Sequence, residues 1–273
     1  MIELDNHDKR SNKGSVTLVI DTSYGLTVGL AGEDVIVEHD SHQHVELLQP
    51  TIAKLMSNAG KQPQDIDTIV VGIGPAPFTG LRTGIVAAKA IAYTVGSQLL
   101  GQDILSAQAV WAASCMQTNG MIVGKASEPV RQLTLVVNDA RRRQLYFALY
   151  DSPVPSRYES GKPLLTMDID YPDRIVDRVN KMCSQIVSAD PNSRIVVNVT
   201  GRGVDKYADS WHNLIFPGVV QEDSLFDHGL DGIDCFVACA QTSALEPVRS
   251  IEPLYLRRPD ISIPNPSKHV MQV

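Results

Sequence analysis

The apolar positions of the first hundred residues predict an alternation of strands and helices. Three short apolar runs come first, and Gly32-Glu33-Asp34 has the composition of a hairpin turn between the second and the third. Between residues 46 and 58 the large apolar residues recur at helical spacing, which predicts an amphipathic helix. An antiparallel meander followed by helix, strand and helix predicts an α/β sheet with mixed strand directions. The predicted elements are strands Val16–Asp21, Leu26–Ala31, Val35–Glu38 and Ile66–Val71, and helices Glu46–Asn58 and Gly80–Thr94.

The stretch Ile69–Val95 is the most informative part of this pattern. Its β-branched beginning predicts a strand buried on both faces, and two glycines and two prolines between residues 72 and 77 end that strand. Thr79 is a favourable N-cap for the helix that follows. That helix consists largely of glycine and alanine, so another backbone can approach it closely. Composition favours packing against its own sheet, and the alternative is a helix offered to a partner subunit.

The second half of the chain repeats the pattern of a meander followed by helices and a further strand. No residue-level repeat accompanies it, so the inference of a duplicated fold is topological. We expect a first lobe over residues 15–105, to which a helix at 223–241 returns, a second lobe over 106–222, and a C-terminal segment over 242–258. The predicted elements are strands Leu99–Leu100, Leu133–Val137, Gln144–Tyr150 and Ile195–Val199, helices Ala107–Met116, Pro172–Val187 and Asp223–Gln241, and a loop Pro153–Lys162.

Composition narrows the cellular setting. None of the apolar runs in the 273 residues is long enough to span a bilayer, and residues 1–14 are too polar for a secretory signal. We expect a cytoplasmic protein with no membrane contact, with disordered extensions at 1–14 and 259–273. The four cysteines form no Cys-x-x-Cys pair, so free thiols in a reducing compartment are expected.

The net charge of −7 argues against a protein that grips nucleic acid by itself, because such proteins usually carry a basic face. The densest basic run is Arg141-Arg142-Arg143. We interpret this run as a solvated turn between two strands.

Asp21-Thr22-Ser23 is the first candidate for chemistry. A carboxylate and two hydroxyls at the end of a buried strand, with Gly25 close by, can contact phosphate or hydrated Mg²⁺. The same tripeptide is also typical of an Asx turn with local hydrogen bonds. The sequence leaves both interpretations open.

The histidines do not form a helical zinc pair. Neither His42 nor His44 has a second histidine four residues later, although alternate histidines in an extended segment would point the same way. Exposed or capping histidines are the simpler interpretation. We identify no set of acid, base and nucleophile, and we predict neither catalytic residues nor a metal site.

Several motifs, in their order along the chain, resemble the TsaB (YeaZ) family, the bacterial partner subunit for making threonylcarbamoyladenosine in tRNA. The resemblance covers residues 16–257. Two departures from the family pattern are Ala76, where a second glycine is usual, and Arg143-Gln144, where Gly-Glu is frequent. The motifs are Ile20-Asp21-Thr22-Ser23, His44–Pro50, Gly74-Pro75-Ala76-Pro77-Phe78-Thr79-Gly80-Leu81-Arg82, Asp139-Ala140-Arg141 with Tyr146, Gly201-Arg202-Gly203, and Pro253–Arg257.

This resemblance implies a two-lobed actin-like ATPase (ASKHA, ribonuclease H-like) fold with a duplicated mixed sheet and flanking helices. It implies a non-catalytic scaffold that docks on the catalytic subunit TsaD, with the ATPase TsaE joining and tRNA met indirectly through the complex. ATP or ADP and a metal are then expected on the partner subunits, and Asp21, Thr22 and Ser23 would be a vestigial cofactor site. A self-paired dimer is expected in the partner's absence.

The resemblance also reverses the interpretation of the glycine- and alanine-rich helix Gly80–Thr94, since first-lobe helices form the contact with the partner subunit in that family. We therefore predict that Thr79–Tyr93 lies at or beside the interface, and that a bulky residue at Gly84 or Ala88 weakens the complex while leaving the fold largely intact. The predicted interface residues are Thr79, Leu81, Arg82, Gly84, Ala88, Lys89 and Tyr93. The rival hypothesis is a free-standing enzyme of the same fold, either a small-molecule kinase or a metal-dependent hydrolase.

Overall fold

A computed structural model describes residues 15–39, 44–118, 130–151, 153, 155–244 and 251–257. These residues form two five-stranded sheets with helices packed on their faces. The predicted extensions at 1–14 and 259–273, together with His42 and the side chain of His44, lie outside the described residues. The strands are β1 (Val16–Asp21), β2 (Leu26–Leu30), β3 (Asp34–Glu38), β4 (Ile66–Gly72), β5 (Gln98–Gln102), β6 (Arg131–Asp139), β7 (Leu145–Asp151), β8 (Lys162–Asp170), β9 (Ile195–Gly201) and β10 (Pro217–Gln221). The helices are α1 (His44–Asn58), α2 (Phe78–Val95), α3 (Ile104–Thr118), α4 (Pro172–Ala189), α5 (Ala208–Trp211) and α6 (Gly229–Ser243).

The two sheets have the same strand order, which confirms the prediction of a duplicated mixed sheet. The first sheet runs β3-β2-β1-β4-β5, and the second runs β8-β7-β6-β9-β10. In both, a three-stranded antiparallel meander is joined to two further parallel strands. The lobes differ most between their fourth and fifth strands, where the first lobe has the 18-residue α2 and the second has a short 3-10 turn and the four-residue α5.

Two helices cross between the lobes. α3 follows the first sheet but packs on β6, β7 and β9 of the second, whereas α6 follows the second sheet and packs on β2, β3 and β5 of the first. α3 and α6 also contact each other. The central core therefore lies between the two sheets, while α1 and α2 cover the outer face of the first sheet and α4 covers that of the second.

Neighbouring residues in β4 enter different cores. Ile69 and Val71 pack in the outer core with α1 and α2, and Val70 packs in the central core. All three are fully buried, so the predicted burial of this strand on both faces is confirmed.

Several predicted boundaries are wrong. β8 and β10 were not predicted, and both are edge strands without a fully buried residue. In β8 the signal was available, because Leu165, Met167 and Ile169 alternate with polar residues, and Met167 and Ile169 pack against the central core. The helix predicted at Asp223–Gln241 begins only at Gly229, after a 3-10 turn at Leu225–His228. Thr79 is not the N-cap of α2, because that helix begins at Phe78 with Pro77 in the N-cap position. None of the helices in the described part of the chain is long and apolar enough to cross a membrane.

Candidate functional site

Asp21 closes strand β1 at the bottom of the cleft between the lobes. Its carboxylate is 2% exposed and accepts two local hydrogen bonds, from the hydroxyl of Ser23 (2.8 Å) and from the backbone N–H of Ser23 (3.0 Å). Both interactions are those of an Asx-type turn. The side chain is therefore already engaged within its own turn.

The environment of Asp21 disfavours its charged form. Burial raises the pKa of this carboxyl from 3.8 to about 6, while the two hydrogen bonds from Ser23 and the charge of Arg202 act in the opposite direction. With a pKa of about 6 the carboxyl is still mostly ionised at neutral pH, so it is burial and the hydrogen bonds from Ser23 that separate Asp21 from a hydrated cation.

Arg202 joins the second lobe to the first across the mouth of this cleft. It follows β9, and its guanidinium lies over the ring of Tyr24, 4.6 Å from the ring centroid. The same guanidinium pairs with Asp227 and has Nη2 3.4 Å from Nδ1 of His39. The arginine thus occupies the mouth of the cleft between the two lobes.

The cavity beside Asp21 and Arg202 is very small, about 20 Å³. This is enough for about one water molecule. Its lining mixes apolar side chains with the polar groups of Asp21, Tyr24, Thr27, Gln108, Asn138, Arg202 and Ser224. The residues present do not fit a nucleotide in this arrangement, because a nucleotide would have to separate the lobes and displace Arg202. Among the described residues there is also no cluster of three or more His, Cys, Asp or Glu side chains that could hold a metal ion.

Helix α2 presents a second candidate site on the outer surface of the first lobe. Along its length Arg82, Val86, Lys89 and Tyr93 are all exposed, and their spacing puts them on one face. Val86 is 61% exposed and Tyr93 is 92% exposed. An apolar side chain with that exposure on the middle of a helix gains nothing from the protein's own core.

The C-terminal segment extends this face. Leu254 donates its N–H to the carbonyl of Ile73 (2.8 Å), which fixes the segment beside the start of α2. The ring of Tyr255 then stacks on Phe78 with the centroids 4.7 Å apart, and the guanidinium of Arg82 lies 4.7 Å from the Phe78 centroid. Of the nine large apolar side chains exposed among the described residues, four belong to this face: Phe78, Val86, Tyr93 and Tyr255.

The structure divides the seven predicted interface residues into two groups. Thr79, Arg82, Lys89 and Tyr93 are exposed. Leu81, Gly84 and Ala88 are buried against the first sheet, so these residues are not exposed to a partner in the isolated chain. Val86, which the sequence analysis did not select, lies in the middle of the exposed face. Helical phase relative to Tyr93 was the signal that could have found it.

Gly84 allows α2 to approach the turn after β1. A Cβ added at Gly84 would lie 2.4 Å from Oγ1 of the buried Thr22. We therefore expect Gly84→Val to lower the free energy of unfolding by about 2 kcal/mol or more through overpacking. Urea denaturation measures this. Ala90→Leu, at an exposed position of the same helix, is the matched control and should change stability by less than about 0.5 kcal/mol. Equal stability of both variants would contradict the close contact.

The loop before α2 accommodates Ala76 without strain. The positive φ in this loop falls at Gly74, with φ 94°, and Ala76 is not among the residues with positive φ. Alanine is therefore compatible with the backbone at the position where the family pattern has a second glycine.

The comparisons with known proteins agree with the duplicated fold. The family model for TsaD, tRNA N6-adenosine threonylcarbamoyltransferase, matches residues 35–163. An uncharacterized protein of Mycobacterium tuberculosis is 35% identical over 145 residues, which cover 50% of this chain and 59% of that protein. The tRNA threonylcarbamoyladenosine biosynthesis protein TsaB of Bacillus subtilis is 32% identical over 138 residues, which cover 49% of this chain and 54% of that protein. The chain thus spans between half and three fifths of the length of these curated relatives.

The solved structure of YeaZ from Pseudomonas aeruginosa is similar over a longer range. It superposes with a TM-score of 0.59 at 21% identity, covering 89% of this chain and all of that one. At this identity the likeness shows the fold, a two-lobed α/β structure with mixed sheets.

Proposed function

We infer that this chain belongs to the TsaB (YeaZ) family, and we propose that it is a non-catalytic subunit of the assembly that installs threonylcarbamoyl on a tRNA adenosine next to the anticodon. The relatedness to TsaB of Bacillus subtilis and the match to the TsaD model support a role in this modification. The proposed contact partner is the catalytic subunit TsaD, and TsaE joins the assembly. ATP or ADP and the metal bind to those partner subunits, and the complex acts in the cytoplasm.

The observation that carries this proposal is the exposed face of α2. It puts Val86 and Tyr93 in solvent on a helix that the second lobe does not have, and the Phe78–Tyr255 stack extends it at one end. A stable protein–protein interface buries about 800 Å² on each side and is enriched in aromatic and arginine side chains. The helix face supplies aromatic side chains at Phe78 and Tyr93 and an arginine at Arg82. In the partner's absence, two copies of this face can pair with each other.

The closed cleft supports the non-catalytic part of the proposal. Asp21 is held by its own turn, Arg202 bridges the lobes, and the cavity beside these two residues has a volume of only about 20 Å³. Catalysis needs a reacting group that touches substrate, and this arrangement leaves no room for a substrate beside Asp21.

Reconstitution tests the function. With TsaD, TsaE, tRNA, ATP and the threonylcarbamoyl precursors, we expect modification to fall at least about tenfold when this chain is left out, because a subunit that completes the assembly acts on each turnover. Mass spectrometry of digested tRNA measures the product, and Gly84→Val protein heated past its unfolding transition serves as an inactive control. Full modification without the chain would contradict the proposal. Saturable ATP binding by the chain alone, with turnover that falls in Asp21→Ala, would instead support the free-standing enzyme.

A further inference from the structure

A cavity of about 770 Å³ lies between the two lobes, and we call it the β8 cavity. Its walls come from the junction of β5 and α3, the beginning of β8 with the turn before it, the last turns of α6, and the C-terminal segment. Among the described residues it shares no lining residue with the cavity beside Asp21. Its volume is within the range of small-molecule sites.

A second cavity, of about 440 Å³, adjoins the β8 cavity. Val110 of α3 and Tyr158 of the turn before β8 line both cavities, so the two spaces meet at these side chains. Two adjoining spaces of this kind fit a long, linear ligand better than a compact one.

A buried amide in the wall of the β8 cavity has an unused acceptor. Gln102 is 2% exposed, and its Nε2 donates to the carbonyl of Asp103 (2.9 Å) and to Oγ of Ser106 (2.9 Å). These two bonds fix which side of the amide carries the oxygen. Oε1 of Gln102 has no hydrogen-bond partner among the described residues. Because an unsatisfied buried acceptor is costly, the site favours a ligand that donates an N–H.

The first turn of α3 holds this amide in place. The carboxylate of Asp103 accepts from the backbone N–H of Ser106 (2.7 Å) and from its hydroxyl. Since the hydroxyl proton of Ser106 is directed to Asp103, the hydroxyl oxygen is left to accept from Gln102. The free acceptor is therefore positioned before any ligand binds.

The charges around the two cavities favour a cation. Glu159 and Asp231 are exposed, and neither forms an ion pair within the described part of the chain. Apolar side chains and two tyrosine rings lie between the charged groups, and such rings can contact ammonium ions through their faces. The charged lining residues are four carboxylates, Asp103, Glu159, Asp231 and Asp234, and one ammonium, Lys162.

We propose that the two adjoining cavities bind a linear polyamine. One ammonium group donates to Oε1 of Gln102, and the others lie near the carboxylates of Glu159 and Asp231. The methylene chains between the ammonium groups pack on the apolar parts of the walls, such as Val110. The inference is independent of the proposed function, because it concerns a site within this chain alone.

Calorimetric titration of the full chain with spermidine at low salt tests the proposal. We expect saturable binding that weakens as salt is added, because salt screens the attraction between ammonium and carboxylate groups. Butylamine, which carries a single ammonium group, should bind at least about tenfold more weakly. Absence of saturable spermidine binding, or equal affinity for butylamine, would overturn the proposal.

Removal of two carboxylates tests the position of the site. In Glu159→Gln/Asp231→Asn we expect the affinity for spermidine to fall by about tenfold, while the exposed positions leave the fold intact. The matched control, Asp177→Asn/Asp209→Asn, removes the same charge from exposed positions on α4 and α5 and should leave the affinity unchanged. Unchanged affinity in the cavity variant, or an equal loss in the control, would contradict the site.

Gln102→Met tests the buried end of the site. Methionine has a similar length but no carbonyl oxygen, so the affinity for spermidine should fall by about tenfold. Circular dichroism checks that the variant is folded. Unchanged affinity in the folded variant would show that no ammonium group binds at Oε1 of Gln102. The two-carboxylate variant decides the proposal if Gln102→Met does not fold.

Lys162→Gln distinguishes a polyamine from an amino acid. Lys162 repels a polyamine, so its removal should raise the affinity for spermidine by about twofold or more. An amino acid would instead need Lys162 as the partner of its carboxylate. L-lysine should therefore bind the unaltered chain more weakly than spermidine does. Tighter binding of L-lysine that is lost in Lys162→Gln would overturn the polyamine assignment.

Discussion

Val86→Asp is expected to raise the dissociation constant of the complex with TsaD by about a hundredfold or more, which corresponds to about 3 kcal/mol. Val86 lies in the centre of the exposed face of α2 and is 61% exposed in the isolated chain. A carboxylate there would lose its hydration when the interface closes, without a partner designed to pair with it. Calorimetric titration with TsaD measures the effect. Tyr93→Ala should weaken binding in the same direction, because aromatic residues are frequent interface hot spots.

The matched control is Ile215→Asp. Ile215 is 57% exposed, close to the value for Val86, but it lies on the second lobe before β10. This variant introduces the same charge at a similarly exposed apolar position, and it should bind TsaD with unchanged affinity. Both variants should unfold within about 1 kcal/mol of the unaltered protein, since neither removes a buried contact. Equal loss of binding in both variants, or unchanged binding in Val86→Asp, would contradict the assignment of the α2 face.

Asp21→Asn is expected to change how stability depends on pH. Burial raises the pKa of Asp21 in the folded protein to about 6, above its ordinary value of 3.8. Between these two values the folded state keeps a proton that the unfolded state has released. The stabilising contribution of this carboxyl is therefore present below pH 3.8 and is lost as pH rises through about 6. Asparagine does not titrate, so the free energy of unfolding of the variant relative to the unaltered protein should rise by about 2 kcal/mol between pH 4 and pH 7.

Urea denaturation at several pH values measures this difference. The asparagine Oδ1 can accept from the backbone N–H of Ser23 while its Nδ2 donates to Oγ of Ser23, so the turn after β1 is preserved. Asp177→Asn, at an exposed carboxylate on α4, removes the same charge as a control. A difference between Asp21→Asn and the unaltered protein that stays constant over this range would show that the carboxyl is not buried as described.

The sequence determined the layout of each lobe. In the first sheet, β1, β2, β3 and β4 carry continuous or alternating apolar residues, so their positions follow from local pattern and from the turns between them. The order of meander, helix, strand and helix was sufficient to predict a mixed sheet and its duplication. The motif around Gly74–Arg82 was sufficient to indicate a resemblance to the TsaB (YeaZ) family, because it combines a strand end, a proline-containing loop and a helix start in a fixed order.

Only the tertiary structure decided which side of α2 is available to a partner. Small residues at Gly84 and Ala88 allow another backbone to approach the helix closely. The sequence cannot say whether that backbone belongs to the same chain or to a partner subunit. Thr22 lies against Gly84, so that face of α2 packs within the chain. The opposite face, with Val86 and Tyr93, remains exposed. The edge strands β8 and β10 were also missed. β10 is held by hydrogen bonding to β9 and has no buried residue, whereas β8 carries a partly buried alternation at Leu165, Met167 and Ile169 that the sequence reasoning overlooked.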